Sequence, residues 1–181
     1  MKKSHFVLPA LIVAAFAVSG CKNSQSPEDG ARSDSHSSQS DKASKQTSGR
    51  YCRLLKDDDP GRKGRKVVYR CDGRAVMASE EAKQLLEPGI PVSFAGGGRV
   101  IESGLTTRQA ANATGRSDEV ACQRAFINAA HKFQETAAKR GATRVSNFHS
   151  IYDRKPMHGG QYDCEVGTFH ARVVFKGDLA R

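Results

Sequence analysis

The 181-residue chain lacks any hydrophobic run long enough to cross a bilayer. Its most apolar stretch, residues 6–18, is too short to span and is interrupted by Pro9. No Gly-x-x-x-x-Gly-Lys-Ser/Thr phosphate loop occurs, which removes the usual sequence basis for nucleotide hydrolysis. There is no Cys-x-x-Cys pair to begin a structural zinc site. There is no Gly-x-Ser-x-Gly nucleophile elbow either. Acidic residues are scarce relative to basic ones, 19 against 29, and the formal net charge is +10. A balance of this sign favours anionic partners over cationic ones.

What is present begins at the N-terminus. Lys2 and Lys3 form a positive start, residues 6–18 an apolar core, and Ser19-Gly20 a small pair directly before Cys21. This order resembles a bacterial lipobox. It implies removal of the first twenty residues and acylation of Cys21 as the new N-terminus. Two or more acyl chains give stable anchoring, since each buried methylene contributes about 0.8 kcal/mol. Removal of Lys2 and Lys3 takes the charge from +10 to +8. Lys22 stands where an Asp would mark inner-membrane retention, which favours the outer membrane, facing the periplasm, with the inner membrane as the alternative. Expected partners are the membrane through its lipid anchor, lipopolysaccharide or another anionic envelope component, or an envelope protein. Nucleic acid is not expected outside the cytoplasm.

Residues 22–49 are rich in Ser, Gln, Asp and Lys and nearly free of apolar side chains. Such a segment cannot bury enough surface to offset its chain entropy and reads as a disordered tether. Its root-mean-square span would be roughly 30 Å. The folded domain is expected over 51–181.

Within that domain, 51–55 and 66–71 read as strands around the turn-rich segment 57–64, which makes a hairpin. A short helix is expected over 80–87, capped by Ser79 and stopped at Pro88-Gly89. Residues 90–94 and 100–106 read as short strands, and 107–115 as a loop. The strongest signal is a helix over 118–140. Ser117 is its cap, and Cys122, Phe126, Ala129, Ala130, Phe133 and Ala137 line one face. A strand over 143–152, a hairpin loop over 153–160 and one long strand over 161–176 complete the pattern. In the long strand the alternation slips near Gly167, which suggests a bulge. The fold class is α+β: an antiparallel sheet packed by one main helix.

Cys52, Cys71, Cys122 and Cys164 remain once Cys21 carries lipid, and four cysteines allow three pairings. Cys52 and Cys71 lie at mirror positions about the hairpin turn. Cys122, on the buried helix face, can reach Cys164 on the sheet beneath. These positions favour Cys52 with Cys71 and Cys122 with Cys164, as an oxidising compartment permits.

The stretch from Gly115 to Phe126, the run 137–145 and Tyr162-Asp163-Cys164-Glu165-Val166-Gly167 resemble a group of small exported bacterial proteins that carry the label excinuclease ATPase subunit. The absent phosphate loop and zinc pair remove ATP hydrolysis and DNA repair from what that likeness implies. More distantly, 122–177 is similar to the domain of the RcsF-like stress-sensor lipoproteins. That likeness implies a tethered outer-membrane lipoprotein with a disulfide-bonded α+β domain. The family has two disulfides inside this region; here only Cys122 and Cys164 lie there, and the 51–74 hairpin is additional. Fold class and anchoring carry over, signalling does not, and the family supplies no catalytic residues.

Three constellations are candidates for chemistry. Asp153, Asp163 and Glu165 lie close enough in sequence for a carboxylate pair. His149, His158 and His170 fall on or between the last strands and could converge as metal ligands. Arg62-Lys63-Gly64-Arg65-Lys66 is the densest basic run and suits a phosphate-rich polyanion, although Asp57, Asp58 and Asp59 precede it. The expected function is a non-catalytic envelope lipoprotein acting as an interaction or sensing module, without a cofactor. A metal- or polyanion-binding module is the alternative, and a hydrolase using a carboxylate such as Asp163 a further one.

Overall fold

A computed structural model of the chain describes residues 50–58 and 64–181. The expected signal segment, Cys21, the expected tether over 22–49, and Arg62 and Lys63 lie outside the described residues.

Strands β1 (Cys52–Asp58) and β2 (Lys66–Asp72) form the expected antiparallel hairpin, with Cys52 opposite Cys71. The two are disulfide-bonded, their Cα atoms 4.0 Å apart. Asp72 then caps a helix that periodicity did not reveal, α1 (Gly73–Met77): its carboxylate accepts from the backbone N–H of Arg74 and Ala75. One turn is too short to show a periodic face. Gly73 is required there, because a Cβ would lie 2.6 Å from the Gly160 carbonyl oxygen and 2.7 Å from the Phe126 ring.

Ser79 caps α2 (Glu80–Leu85), which stops two residues before the expected end because Leu86 is already extended. Two residues on, Pro88 could not have continued it. The chain over 86–90 is held instead by the buried side chain of Gln134, which accepts from Glu87 N–H and donates to the Glu87 and Ile90 carbonyls. The expected strand over 90–94 is reduced to one parallel bridge, Val92 to Val145. Pro91 has no N–H to extend it.

Strand β3 (Val100–Asn112) continues well beyond the expected end at Thr106. The presumed loop residues 107–112 pair with β6 (His170–Ala180) all the way to Asn112 opposite His170. Their composition hid them: an edge strand whose inner face carries Thr107, Gln109 and Ala111 shows no apolar alternation.

Helix α3 (Asp118–Lys139) has the expected cap, Ser117, whose hydroxyl accepts from Val120 N–H. Gly141, at φ +64°, provides the left-handed residue that ends it. Beyond it, β4 (Arg144–Ser150) precedes β5 (Gln161–Gly167). The expected single strand over 161–176 is therefore two strands. The slip at Gly167 is a chain reversal, not a bulge, and it places Cys164 and Val166 on the same buried face as Ala171, Val173 and Phe175. Nor is 153–160 a hairpin loop. Both β4 and β5 border the same edge of β6 at different heights, so this segment is a connector between strands that do not pair.

The architecture is α+β, with a six-stranded antiparallel sheet in the order β1-β2-β5-β6-β3 and β4 also paired to β6. One sheet face is covered by α3. Between them, Phe126 sits 4.8 Å from Tyr162 and 5.3 Å from Phe175, ring centre to ring centre, while Phe148 stacks on Phe175 at 4.3 Å. The Cys122–Cys164 disulfide ties α3 to β5 within this cluster.

In a chain-entropy description, the 42-residue separation of Cys122 and Cys164 corresponds to about 4 kcal/mol and the 19-residue separation of Cys52 and Cys71 to about 3 kcal/mol. The Cys122→Ala/Cys164→Ala protein is expected to lose more melting temperature than Cys52→Ala/Cys71→Ala, measured by calorimetry. Equal losses would show that the core disulfide contributes no more than the hairpin staple.

Candidate functional site

Alternation along β6 turns Ala171, Val173 and Phe175 toward α3 and leaves Arg172, Val174 and Lys176 on the opposite face. No helix among the described residues covers that face. The connector between β4 and β5 leans over it, through a tight turn at Tyr152–Arg154. The Tyr152 hydroxyl donates to Glu165 on β5 at 3.0 Å. Burial, then this hydrogen bond, pushes the Tyr152 hydroxyl up to about 12. Asp153 and Arg154 both adopt the left-handed conformation, at φ +52° and +61°. Such residues cost about 1–3 kcal/mol each and persist only where the surroundings impose them.

The turn divides a basin floored by Val174. One side, about 310 Å³, is bordered by Lys66, Arg108 and Arg172. The other, about 570 Å³, is bordered by Arg108, Arg154 and Lys176. Arg108 stands opposite Val174, and Arg172 and Lys176 flank Val174 along β6, with the Lys176 ammonium leaning away over Gly104 on β3. Among the described residues, Arg108, Arg154, Arg172 and Lys176 make no ion pair and no side-chain hydrogen bond.

The candidate carboxylates reach this face but are mostly engaged. Asp163 accepts two hydrogen bonds from Arg70, at 2.9 and 3.1 Å. Glu165 is held by Tyr152 and lies 3.6 Å from Lys66 Nζ. Asp153 has no side-chain partner among the described residues.

The basic run is split by strand alternation. Lys66 faces the basin, whereas Arg65 turns toward α3 and binds Asp118. Burial alone would raise the Asp118 carboxyl, but the hydrogen bonds from Arg65 and Tyr69, with the Arg65 charge, hold it below the usual carboxylate range.

Of the three histidines, His149 and His158 meet, their rings 4.4 Å apart. His170 does not join them. His149 is opposite Lys176, and His170 is six residues back along β6, about 20 Å away at strand rise. Among the described residues no three His, Cys, Asp or Glu side chains gather as a metal site.

Arg108, Arg154, Arg172 and Lys176 were not among the expected site residues. The alternation Arg172-Val173-Val174-Phe175-Lys176 carries a readable signal for two of them, whereas Arg108 lay in the segment taken for a loop. No protein-family model, curated protein or solved structure matches this chain.

Two outcomes follow from the titrating groups. The Asp118 contribution is present above the ordinary carboxylate pKa of about 3.9 and is lost as pH falls through its lower folded value. Asp118→Asn is expected to cost about 1–2 kcal/mol at neutral pH, discounted because Arg65 is half exposed. That difference should vanish in acid melts. For Tyr152 the sign is opposite: its contribution is complete below about 10 and lost as pH rises through about 12. Burial and a hydrogen bond to Asp118 raise Tyr69 as well, and burial raises Tyr162, so ultraviolet titration should show a late phenolate phase whose amplitude falls by one tyrosine in Tyr152→Phe.

Proposed function

We propose that this chain is a non-catalytic bacterial envelope lipoprotein, an interaction or sensing module whose contact surface is the open basic face of its sheet. The observation that carries the reading is the set of unpartnered cations around Val174, on the sheet face opposite the one sealed by α3. Unpaired like charges held together cost stability and make sense where an anionic partner completes them. Both disulfides are formed, which suits export to an oxidising compartment. The lipobox-like residues before Cys21 supply the anchor, and Lys22 favours the outer membrane. No helix among the described residues is long and apolar enough to cross a membrane, so attachment rests on acylation in this reading.

Catalysis is the weaker reading, because Asp163 and Glu165 are tied by neighbours and all four described cysteines are oxidised. A metal module would need a third ligand beside His149 and His158.

The test combines acyl labelling with crosslinking in intact cells. The wild-type protein is expected to incorporate labelled palmitate, whereas Cys21→Ala does not and leaves the membrane fraction. Arg108→Glu/Arg172→Glu should retain label and melting temperature but lose its crosslinks. An unlabelled, soluble wild-type protein would overturn the anchor, and unchanged crosslinks in the charge-reversed protein would overturn the contact face.

A further inference from the structure

We propose that the basin around Val174 is a phosphate site, taking a phosphomonoester group between Arg108 and Arg172. The proposal rests on the open-face reading above and gives it a ligand chemistry.

The geometry starts with strand register. Arg108 on β3 is directly opposite Val174, so its diagonal neighbours on β6 are Arg172 and Lys176. Diagonal positions on one sheet face place Cβ atoms roughly 7–8 Å apart. Arg108 and Arg172, which border the same side of the basin, can converge on one group beside Val174, while the Lys176 ammonium lies over Gly104 and adds charge from the far side. All three cations lack a partner among the described residues, and Arg154 on the overlying turn is a fourth. With Lys66, five cations line the basin against two carboxylates, Asp153 and Glu165, the latter directly opposite Arg172, which leaves a surplus of +3. A single carboxylate ligand would leave most of that surplus unmet. A phosphomonoester, carrying nearly two charges and three acceptor oxygens, answers it better. Arginine forks are suited to bind those oxygens in pairs.

The turn above the basin supports the same assignment. Asp153 and Arg154 are both left-handed without being glycine. The Tyr152–Glu165 hydrogen bond and the Met157 N–H to Ser150 carbonyl bond flank the turn and pin it. The strained backbone keeps Asp153 at the rim shared by the two sides of the basin and Arg154 at the larger side. There Asp153 can accept from a hydroxyl next to the phosphate.

The phosphate could belong to free inorganic phosphate, a sugar phosphate or a lipid headgroup, and the test separates these. The full chain is titrated with inorganic phosphate and with glucose 1-phosphate by calorimetry. The Cys21→Ala chain is tested for sedimentation with phosphatidylcholine vesicles with and without phosphatidic acid. Saturable binding in at least one arm is expected, and the arm that binds names the source. Arg108→Gln and Arg172→Gln should each weaken it about tenfold, the loss of one charged hydrogen-bonding partner. Neither substitution should lower the melting temperature of the unliganded protein. Arg116→Gln, an exposed arginine before α3, is the control and should bind as wild type. Absence of binding in every arm overturns the proposal, as does equal weakening in all three variants.

Failure here is separable from failure of the broader reading. A chain that ignores phosphate yet loses its cellular crosslinks on Arg108→Glu/Arg172→Glu keeps the open face as a protein contact. A chain that binds phosphate but carries no acyl label keeps the site and loses the anchor.

Discussion

The packing of α3 onto the β5–β6 half of the sheet governs the rest of the molecule. Phe126 fills the space between them, touching Tyr162, Phe148 and Phe175, and the Cys122–Cys164 bond fixes helix to strand beside it. The alanines at 125, 129, 130 and 137 are fully buried and let the helix approach the strands closely. Once Ala171, Val173 and Phe175 are committed to this core, strand alternation sends Arg172, Val174 and Lys176 to the other side. The basic face is thus a geometric result of the hydrophobic one.

β6 organises that face because it is bordered on both edges. β3 runs along one edge for its whole length, while β5 and β4 divide the other. The connector between β4 and β5 must pass from one height to the other, and it does so across the open side. This crossing brings Tyr152, Asp153 and Arg154 over the strands. A simple hairpin between β4 and β5 would have left the face flat.

Much of the fold was legible because its signals were local and apolar. The α3 boundaries follow from Ser117 and Gly141, and both disulfides follow from positions on opposed elements. What escaped were features decided by tertiary partners. Residues 107–112 are polar enough to read as loop, and only pairing with β6 makes them strand. The reversal at Gly167-Thr168-Phe169-His170 lacks the Asn-Gly or Asp-Gly pair that announces a tight turn, so it reads as a slip in one strand. α1 depends on the Asp72 cap and on Gly73 fitting against Phe126. The candidate site suffered from the same limits. Sequence proximity suggested the run 62–66, yet alternation separates Arg65 from Lys66, and the cations that do converge are far apart in sequence. His170 was grouped with His149 and His158 without the reversal that carries it to the far end of β6.

The position of the hairpin disulfide also has a mechanical meaning. The chain that precedes the domain enters at Tyr51, next to Cys52, at the open end of the β1–β2 hairpin. Tension applied there would ordinarily peel β1 from β2 one hydrogen-bond pair at a time. With Cys52 bonded to Cys71 at the first pair, the pull passes covalently into β2. There Cys71 is registered with Tyr162 on β5, and β5 is itself bonded to α3 through Cys164. A pull on Tyr51 would thus be felt in the core before the sheet lost a strand.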